Sequence, residues 1–235
     1  MYDEFLSLIR EAFDEEKELK STPTGRICRL RHKKSGGRYI LRRYEGSGEV
    51  YRKLLGVACP NLPKIFDVAE KDGQVAVLEE YVDGDRLDFL LEGGPLRPSE
   101  ARDVALQLCR GLYVLHALGA VHRDVKPENV LLRGDEAVLI DFDASRVVKP
   151  EQRADTVVLG TTGYAAPEQY GISQTDGRAD IYSLGVMLNI MLTGKHPSQE
   201  LASGRLGRIV QRCTQINPKK RYKSVLYLME DIGKR

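Results

Sequence analysis

The most informative stretch of the chain is His122-Arg123-Asp124-Val125-Lys126-Pro127-Glu128-Asn129. Within six residues it presents a carboxylate (Asp124), an ammonium (Lys126) and an amide (Asn129). A carboxylate can orient an attacking hydroxyl, a cation can neutralise developing negative charge, and an amide oxygen suits a hard metal ion. A charged surface loop after a helix would have the same composition, so the neighbouring segments must distinguish the two interpretations.

Four further segments follow in a fixed order. The apolar run 137–140 leads into Asp141-Phe142-Asp143, and then come GTTGYAAPE at 160–168, DIYSLG at 180–185 and NPKKRY at 217–222. Together with the first stretch they resemble the catalytic loop, metal loop, substrate loop, central helix and closing arginine of the eukaryotic-like (Hanks-type) bacterial serine/threonine protein kinases. The resemblance covers essentially the whole chain and is tightest from about residue 100 to 225.

The resemblance implies an α+β, bilobal fold in one kinase-like domain over 1–235. The N-lobe (1–82) would hold a small antiparallel sheet with one helix, and the C-lobe (83–235) would be mainly helical. Periodicity agrees with this layout and also predicts an additional helix over residues 2–20. The predicted strands are 26–30, 38–44, 64–69 and 74–80, and the other predicted helices are 49–55, 101–115 and 181–192.

Composition limits the other function classes. Hydrophobic residues make up 42% of the 235 residues and charged residues 30%, as in ordinary globular proteins. The net charge of +2 gives no field that favours nucleic acid. Four scattered cysteines without a C-x-x-C pair favour a reducing, cytoplasmic location. We expect no membrane segment and no signal peptide, since the apolar run 181–192 is shorter than the roughly 20 residues that span a bilayer.

The resemblance assigns roles to individual residues. Asp124 would orient the hydroxyl, Lys126 would face the γ-phosphate, and Thr161 would hydrogen-bond both. Asn129 and Asp141 would hold Mg²⁺, and the cofactor would be ATP. The residues that would surround the nucleotide are Gly25, Ile27, Ile40, Arg42, Glu49, Glu80, Val82 and Leu131.

Four departures from the family pattern surround the nucleotide. Lys20 and Thr22 replace the first two glycines of the phosphate loop, so the loop is stiffer. Ile40 and Arg42 replace Ala and Lys of the third strand; Ile40 would crowd the adenine, and Arg42 would pair with Glu49, or with Glu45 as a fallback. The other two departures are a carboxylate where the metal loop has glycine (Asp143) and a charge at the gatekeeper position (Glu79), for which Arg42 is a candidate partner.

Two main hypotheses remain open. The first is an active serine/threonine protein kinase, and the second is a pseudokinase that keeps the fold as a scaffold. A small-molecule kinase is a third class, disfavoured by the substrate loop and the Ala-Pro-Glu segment. The expected partners are a protein substrate and a regulatory protein. Arg123 beside Asp124 predicts a phosphate-receiving pocket, with Thr156 as the phosphorylation site.

Overall fold

A computed structural model describes residues 2–148, 161–171 and 175–234. The chain divides into two compact units: residues 1–59 with 63–82, and residues 60–62 with 83–235. The first unit is mainly sheet and the second mainly helix, so the α+β kinase architecture predicted from the sequence is confirmed. Across the described ranges, no helix is both long and apolar enough to cross a membrane.

The first unit is a five-stranded antiparallel sheet with two helices. The strand order is β1-β2-β3-β5-β4, which leaves β1 and β4 at the edges. The elements, in chain order, are α1 (Tyr2–Ala12), β1 (Phe13–Thr22), β2 (Gly25–His32), β3 (Arg38–Glu45), α2 (Glu49–Leu54), β4 (Ile65–Lys71) and β5 (Gln74–Glu80).

The predicted helix over residues 2–20 is wrong beyond Ala12. Helix α1 buries Phe5 and Ile9 against the sheet residues Cys28, Leu30 and Leu41, and the Lys33 ammonium donates to carbonyls of its last turn. From Phe13 onward the chain instead pairs with β2 as strand β1. The charged run looks helical locally, but its carboxylates form cross-strand ion pairs with arginines of β2, which are Glu15–Arg26, Glu18–Arg26, Glu16–Arg29 and Glu16–Arg31.

The second unit is built around a buried helix. Its elements are β6 (Asp85–Arg86), α3 (Leu87–Leu91), α4 (Pro98–Ala117), β7 (Ala120–Val121), β8 (Val130–Arg133), β9 (Glu136–Leu139), β10 (Arg146–Val147), α5 (Gly177–Thr193), α6 (Gly204–Cys213) and α7 (Val225–Gly233). Strands β6, β8 and β9 form one sheet, and β7 pairs with β10.

Helix α5 is apolar on nearly every side, as the run 181–192 predicts. Asp176 caps its N-terminus by accepting from the Arg178 N–H, and Gly194, in the left-handed conformation, caps its C-terminus. Gly185 allows α6 to pack closely, because a Cβ there would lie 2.3 Å from the Cβ of Cys213. This buried helix is the base on which the candidate site is built.

Candidate active site

Three side chains of the second unit converge on the carboxylate of Asp124. Asp124 Oδ1 accepts from Thr161 Oγ1 at 2.7 Å, and Asp124 Oδ2 lies 2.8 Å from Lys126 Nζ. Lys126 Nζ also donates to Thr161 Oγ1 at 2.6 Å, which closes a triangle. The Asn129 amide donates to Asp124 Oδ2 and to its main-chain carbonyl, both at 2.9 Å. Both oxygens of the Asp124 carboxylate are therefore fixed in orientation.

The local fold explains how these residues meet. Pro127 begins a short 3₁₀ helix that ends at Asn129, which turns the chain back toward Asp124 before β8 starts. The Ile140 N–H donates to the Asn129 carbonyl at 2.9 Å, so the segment after β9 is tied to the same place. Asn129 and Asp141 are thus held on adjacent segments.

Asp180, at the start of helix α5, supports the loop from below. Its carboxylate accepts from the main-chain N–H groups of His122 and Arg123 at 2.9 and 2.8 Å, and it lies 2.7 Å from His116 Nε2. Burial by itself raises the pKa of Asp180, but the His116 hydrogen bond and the nearby His122 outweigh it and lower that pKa below its usual value. In the sequence, Asp180 is recognisable only as part of a helix, and the available signal for its role is a carboxylate at the start of an otherwise apolar helix.

Arg123 adopts a left-handed backbone conformation, with φ of 69°. This conformation costs a non-glycine residue roughly 1–2 kcal/mol. Asp180 binds its N–H, and Gln169 Nε2 donates to its carbonyl at 2.8 Å, so both sides of the strained residue are held. The backbone conformation held at Arg123 therefore sets the orientation of the next residue, Asp124.

His122 is buried beside the loop. Its Nε2 donates to the Ile140 carbonyl at 3.2 Å, its Nδ1 accepts from the Asp124 N–H at 3.3 Å, and its ring packs edge-on against Phe142. These contacts suit a neutral imidazole protonated at Nε2. Burial lowers the pKa of His122, although the carboxylates of Asp180, Asp124 and Asp141 oppose the shift.

We expect His122 to make stability depend on pH. Because its pKa is lower in the folded than in the unfolded chain, the unfolded state gains a proton first as the pH falls below about 6.5. Stability is then full above that pH and decreases as the pH falls toward the folded-state pKa. Urea unfolding between pH 7.5 and 5.5 should show this loss. His122→Asn should reduce the slope of the free energy of unfolding against pH. An unchanged slope in the variant would contradict the assignment.

The two aspartates of the predicted metal loop, Asp141 and Asp143, differ in how far their side chains are exposed. Asp141 has a left-handed φ of 71°, and its Oδ1 accepts from the Asp143 N–H at 3.4 Å. The Asp143 side chain is exposed, whereas Phe142 is buried. Within the described residues no cluster of three or more His, Cys, Asp or Glu side chains could hold a metal by itself. A metal here would need oxygens from a ligand in addition to those of Asn129 and Asp141.

Arg221 links several segments of the second unit. Its guanidinium binds Glu168 in a bidentate manner, with Nη1–Oε1 of 2.6 Å and Nη2–Oε2 of 2.8 Å. The Arg221 side chain is fully buried, and it also donates to the carbonyls of Gln215, Ile216 and Arg178. Arg221 therefore ties the segment that ends at Glu168 to the segment before α7.

Three of the residues predicted to surround the nucleotide lie on one face of the sheet in the first unit. Ile27, Ile40 and Arg42 lie on the face opposite α1, since Ile27 faces Arg42 across β2–β3 and their neighbours Cys28 and Leu41 contact α1. Arg42 Nε donates to Glu79 Oε1 at 3.2 Å. This is the partner that the sequence suggested for Glu79.

Two further predictions for the first unit concern the carboxylate that would pair with Arg42 and the loop that would bind the phosphates. Glu49 is the first residue of α2, and its pairing with Arg42 stays a prediction. Glu45 was the alternative to Glu49. It is the last residue of β3 and accepts from Gln74, so it is wrong as the carboxylate of helix α2. Lys20 and Thr22 lie within β1, and only Pro23-Thr24 connect it to Gly25, so the phosphate loop is a two-residue turn closed by Thr22 Oγ1 on the Gly25 carbonyl.

The remaining predicted residues are Glu80, Val82 and Leu131. Glu80 ends β5 and its carboxylate accepts from the Lys64 N–H at 3.0 Å, Val82 is buried, and Leu131 lies in β8 opposite Val138. Thr156 lies outside the described residues, so its phosphorylation stays a prediction. The structure therefore brings Thr161, Lys126 and Asn129 together around Asp124 in the second unit, and it places Ile27, Ile40 and Arg42 on one face of the sheet in the first unit.

Known proteins resemble this chain over the same segments. A model of the protein kinase domain matches residues 49–230. The chain belongs to the protein kinase family. Among curated kinases, pkn2 of Myxococcus xanthus is 38% identical over 154 residues, which are 62% of this chain and 19% of that protein.

Two mycobacterial kinases give a similar picture. PknH of Mycobacterium tuberculosis is 37% identical over 150 residues, covering 63% of this kinase-family chain and 24% of PknH. PknE of the same species is 36% identical over 168 residues, covering 68% of this chain and 29% of PknE. All three are named serine/threonine-protein kinases, and the chain spans less than a third of the length of each.

Proposed function

We propose that this chain is an active serine/threonine protein kinase that transfers the γ-phosphate of ATP to protein hydroxyls. The observation that carries the proposal is the Asp124 carboxylate, which Thr161, Lys126 and Asn129 hold in one orientation. Phosphoryl transfer depends mainly on positioning and on charge stabilisation, and this cluster supplies both. The four free cysteines fit action in a reducing compartment such as the cytoplasm.

In the proposed reaction, Asp124 orients the substrate hydroxyl and accepts its proton. The hydroxyl oxygen bonds to the γ-phosphorus, the bond to the bridging oxygen of ADP breaks, and ADP leaves with that electron pair. Lys126, within reach of the same carboxylate, places a positive charge beside the transferred group. Thr161 keeps Lys126 and Asp124 in register during this step.

The residues present fit Mg²⁺. The Asn129 amide nitrogen donates to Asp124, which directs the amide oxygen away from that carboxylate. This oxygen and the Asp141 carboxylate are hard ligands, and nucleotide phosphates would complete the coordination. When bound, Mg²⁺ would neutralise charge on the phosphates.

A pseudokinase scaffold is the second candidate, and the first unit favours it. The two-residue turn at Pro23-Thr24 offers few N–H donors to phosphates, and Ile40 adds bulk where the family has alanine. Incubation of the purified chain with labelled ATP and Mg²⁺, followed by phosphoamino-acid analysis, tests the choice. Phosphoserine or phosphothreonine supports the kinase, whereas calorimetric nucleotide binding without any transfer supports the scaffold.

Ile40 gives a direct test of the nucleotide pocket. We expect weak ATP binding by the parent and tighter binding by Ile40→Ala, because the shorter side chain would make room for adenine. Truncating a buried isoleucine also costs roughly 2–5 kcal/mol of stability. Ile40→Val, a smaller change, should therefore give an intermediate affinity. Calorimetry with MgATP measures all three proteins, and equal affinities would contradict the steric interpretation.

A further inference from the structure

Arg42 and Glu79 form a buried ion pair inside the sheet of the first unit. The two side chains are 3% and 5% exposed, and Arg42 Nε lies 3.2 Å from Glu79 Oε1. In the β3–β5 register, Glu79 faces Ile40, and Arg42 faces Val77. Arg42 and Glu79 are therefore diagonal neighbours on the same face, a separation that two long side chains can bridge.

A buried pair of this kind strongly constrains its members. Removal of one partner leaves an uncompensated charge away from water, so each side chain is held by the other. A carboxylate at Nε also fixes the plane of a guanidinium, whose Nη groups carry four further N–H donors in a rigid fork. The orientation of the Arg42 fork is thus set by a residue of the neighbouring strand.

We propose that Glu79 is the positioning residue that aims the Arg42 guanidinium at the phosphates of the nucleotide. The inference rests on the proposed function, because it assumes that Arg42 meets ATP. The family pattern would assign this positioning to Glu49 on helix α2. Here the carboxylate comes from a strand that is hydrogen-bonded to the strand of Arg42. Pairing between β3 and β5 therefore contributes directly to the orientation of the Arg42 guanidinium.

The pair makes a selective prediction about ligands. If Glu79 acts through Arg42, its loss should weaken binding of MgATP but not of adenosine, which has no phosphates. A direct contact between Glu79 and the base would weaken both ligands, and so would general damage to the sheet. The comparison of the two ligands therefore separates positioning from a structural role.

The experiment uses calorimetry on the parent, Glu79→Gln, Arg42→Met and the double variant. We expect Glu79→Gln to weaken MgATP binding about tenfold, the size expected for one charge-assisted hydrogen bond, with adenosine unchanged. In the Arg42→Met background, Glu79→Gln should add no further loss. Asp67→Asn, an exposed carboxylate on β4, is the matched control and should bind like the parent.

Three results would overturn the inference: unchanged MgATP affinity in Glu79→Gln, equal loss for adenosine, or a loss in Glu49→Gln in place of Glu79→Gln. Should Glu79→Gln fail to fold, Glu79→Asp keeps the charge but shortens its reach, and the same ligand comparison applies. Binding without phosphoryl transfer in the parent would defeat the proposed function and leave this inference intact. Transfer that is insensitive to Glu79→Gln, with unchanged affinity, would defeat the inference alone.

Discussion

Asp124→Asn is expected to lower the rate of phosphoryl transfer by about 10³-fold while leaving the fold intact. General-base and positioning carboxylates typically contribute about 10²–10⁴-fold, and asparagine cannot accept the hydroxyl proton. Asparagine still offers an oxygen to Thr161, which donates to Asp124 Oδ1, so the loop should keep its shape. Initial rates with labelled ATP, together with urea unfolding of parent and variant, measure the two effects separately.

Asp135→Asn is the matched control for this experiment. Asp135 is exposed in the turn between β8 and β9, where its carbonyl accepts from Gln107. Its side-chain substitution should change neither rate nor stability. If Asp124→Asn transferred phosphate as fast as the parent, the assignment of Asp124 would be wrong, and the proposed mechanism would fail with it.

Arg221→Met is expected to destabilise the chain by about 3–5 kcal/mol, the range measured when one partner of a buried ion pair is removed. The substitution removes the bidentate contact with Glu168 and the hydrogen bonds to three carbonyls. Methionine fills similar space, so most of the loss should come from the stranded Glu168 and the unsatisfied carbonyls. The midpoint and slope of urea unfolding give the change.

The double variant Arg221→Met/Glu168→Gln separates these causes. Because it leaves no stranded charge, it should recover part of the lost stability while the carbonyls of Gln215, Ile216 and Arg178 stay unsatisfied. Lys220→Met, one residue earlier and exposed, is the control and should be close to neutral. A parent-like midpoint for Arg221→Met would show that the pair does not stabilise the fold.

The predicted site residues of the two units differ in how far the local sequence specified them. Asp124, Lys126 and Asn129 lie within six residues, and one 3₁₀ turn brings them together, so a short pattern was enough to identify the cluster. Thr161 is distant in sequence but is carried by a motif of its own. The first-unit residues lie on separate strands, and their neighbours depend on strand register, which a linear pattern does not specify.

In the N-terminal segment, the local sequence predicted the wrong element. The acidic residues after Ala12 have good intrinsic helix propensity, and a local analysis extends α1 through them. The arginines of β2 that pair with them come later in the chain, and the strand forms because these partners exist. Local propensity was therefore overridden by pairing with a segment about ten residues away.

Sequence patterns were sufficient to predict the protein kinase family, the α+β architecture, the position of the buried helix α5 and the cluster around Asp124. These features depend on hydrophobic periodicity or on polar residues at short spacing, and both are properties of a contiguous stretch. Only the folded chain shows that Asp180 anchors the loop, that Arg123 is held in a strained conformation, and that Arg42 and Glu79 are close enough to form the suggested pair. Each of these depends on a contact between segments that are 37 to 58 residues apart, and the free energy of such contacts becomes available only when the chain has folded.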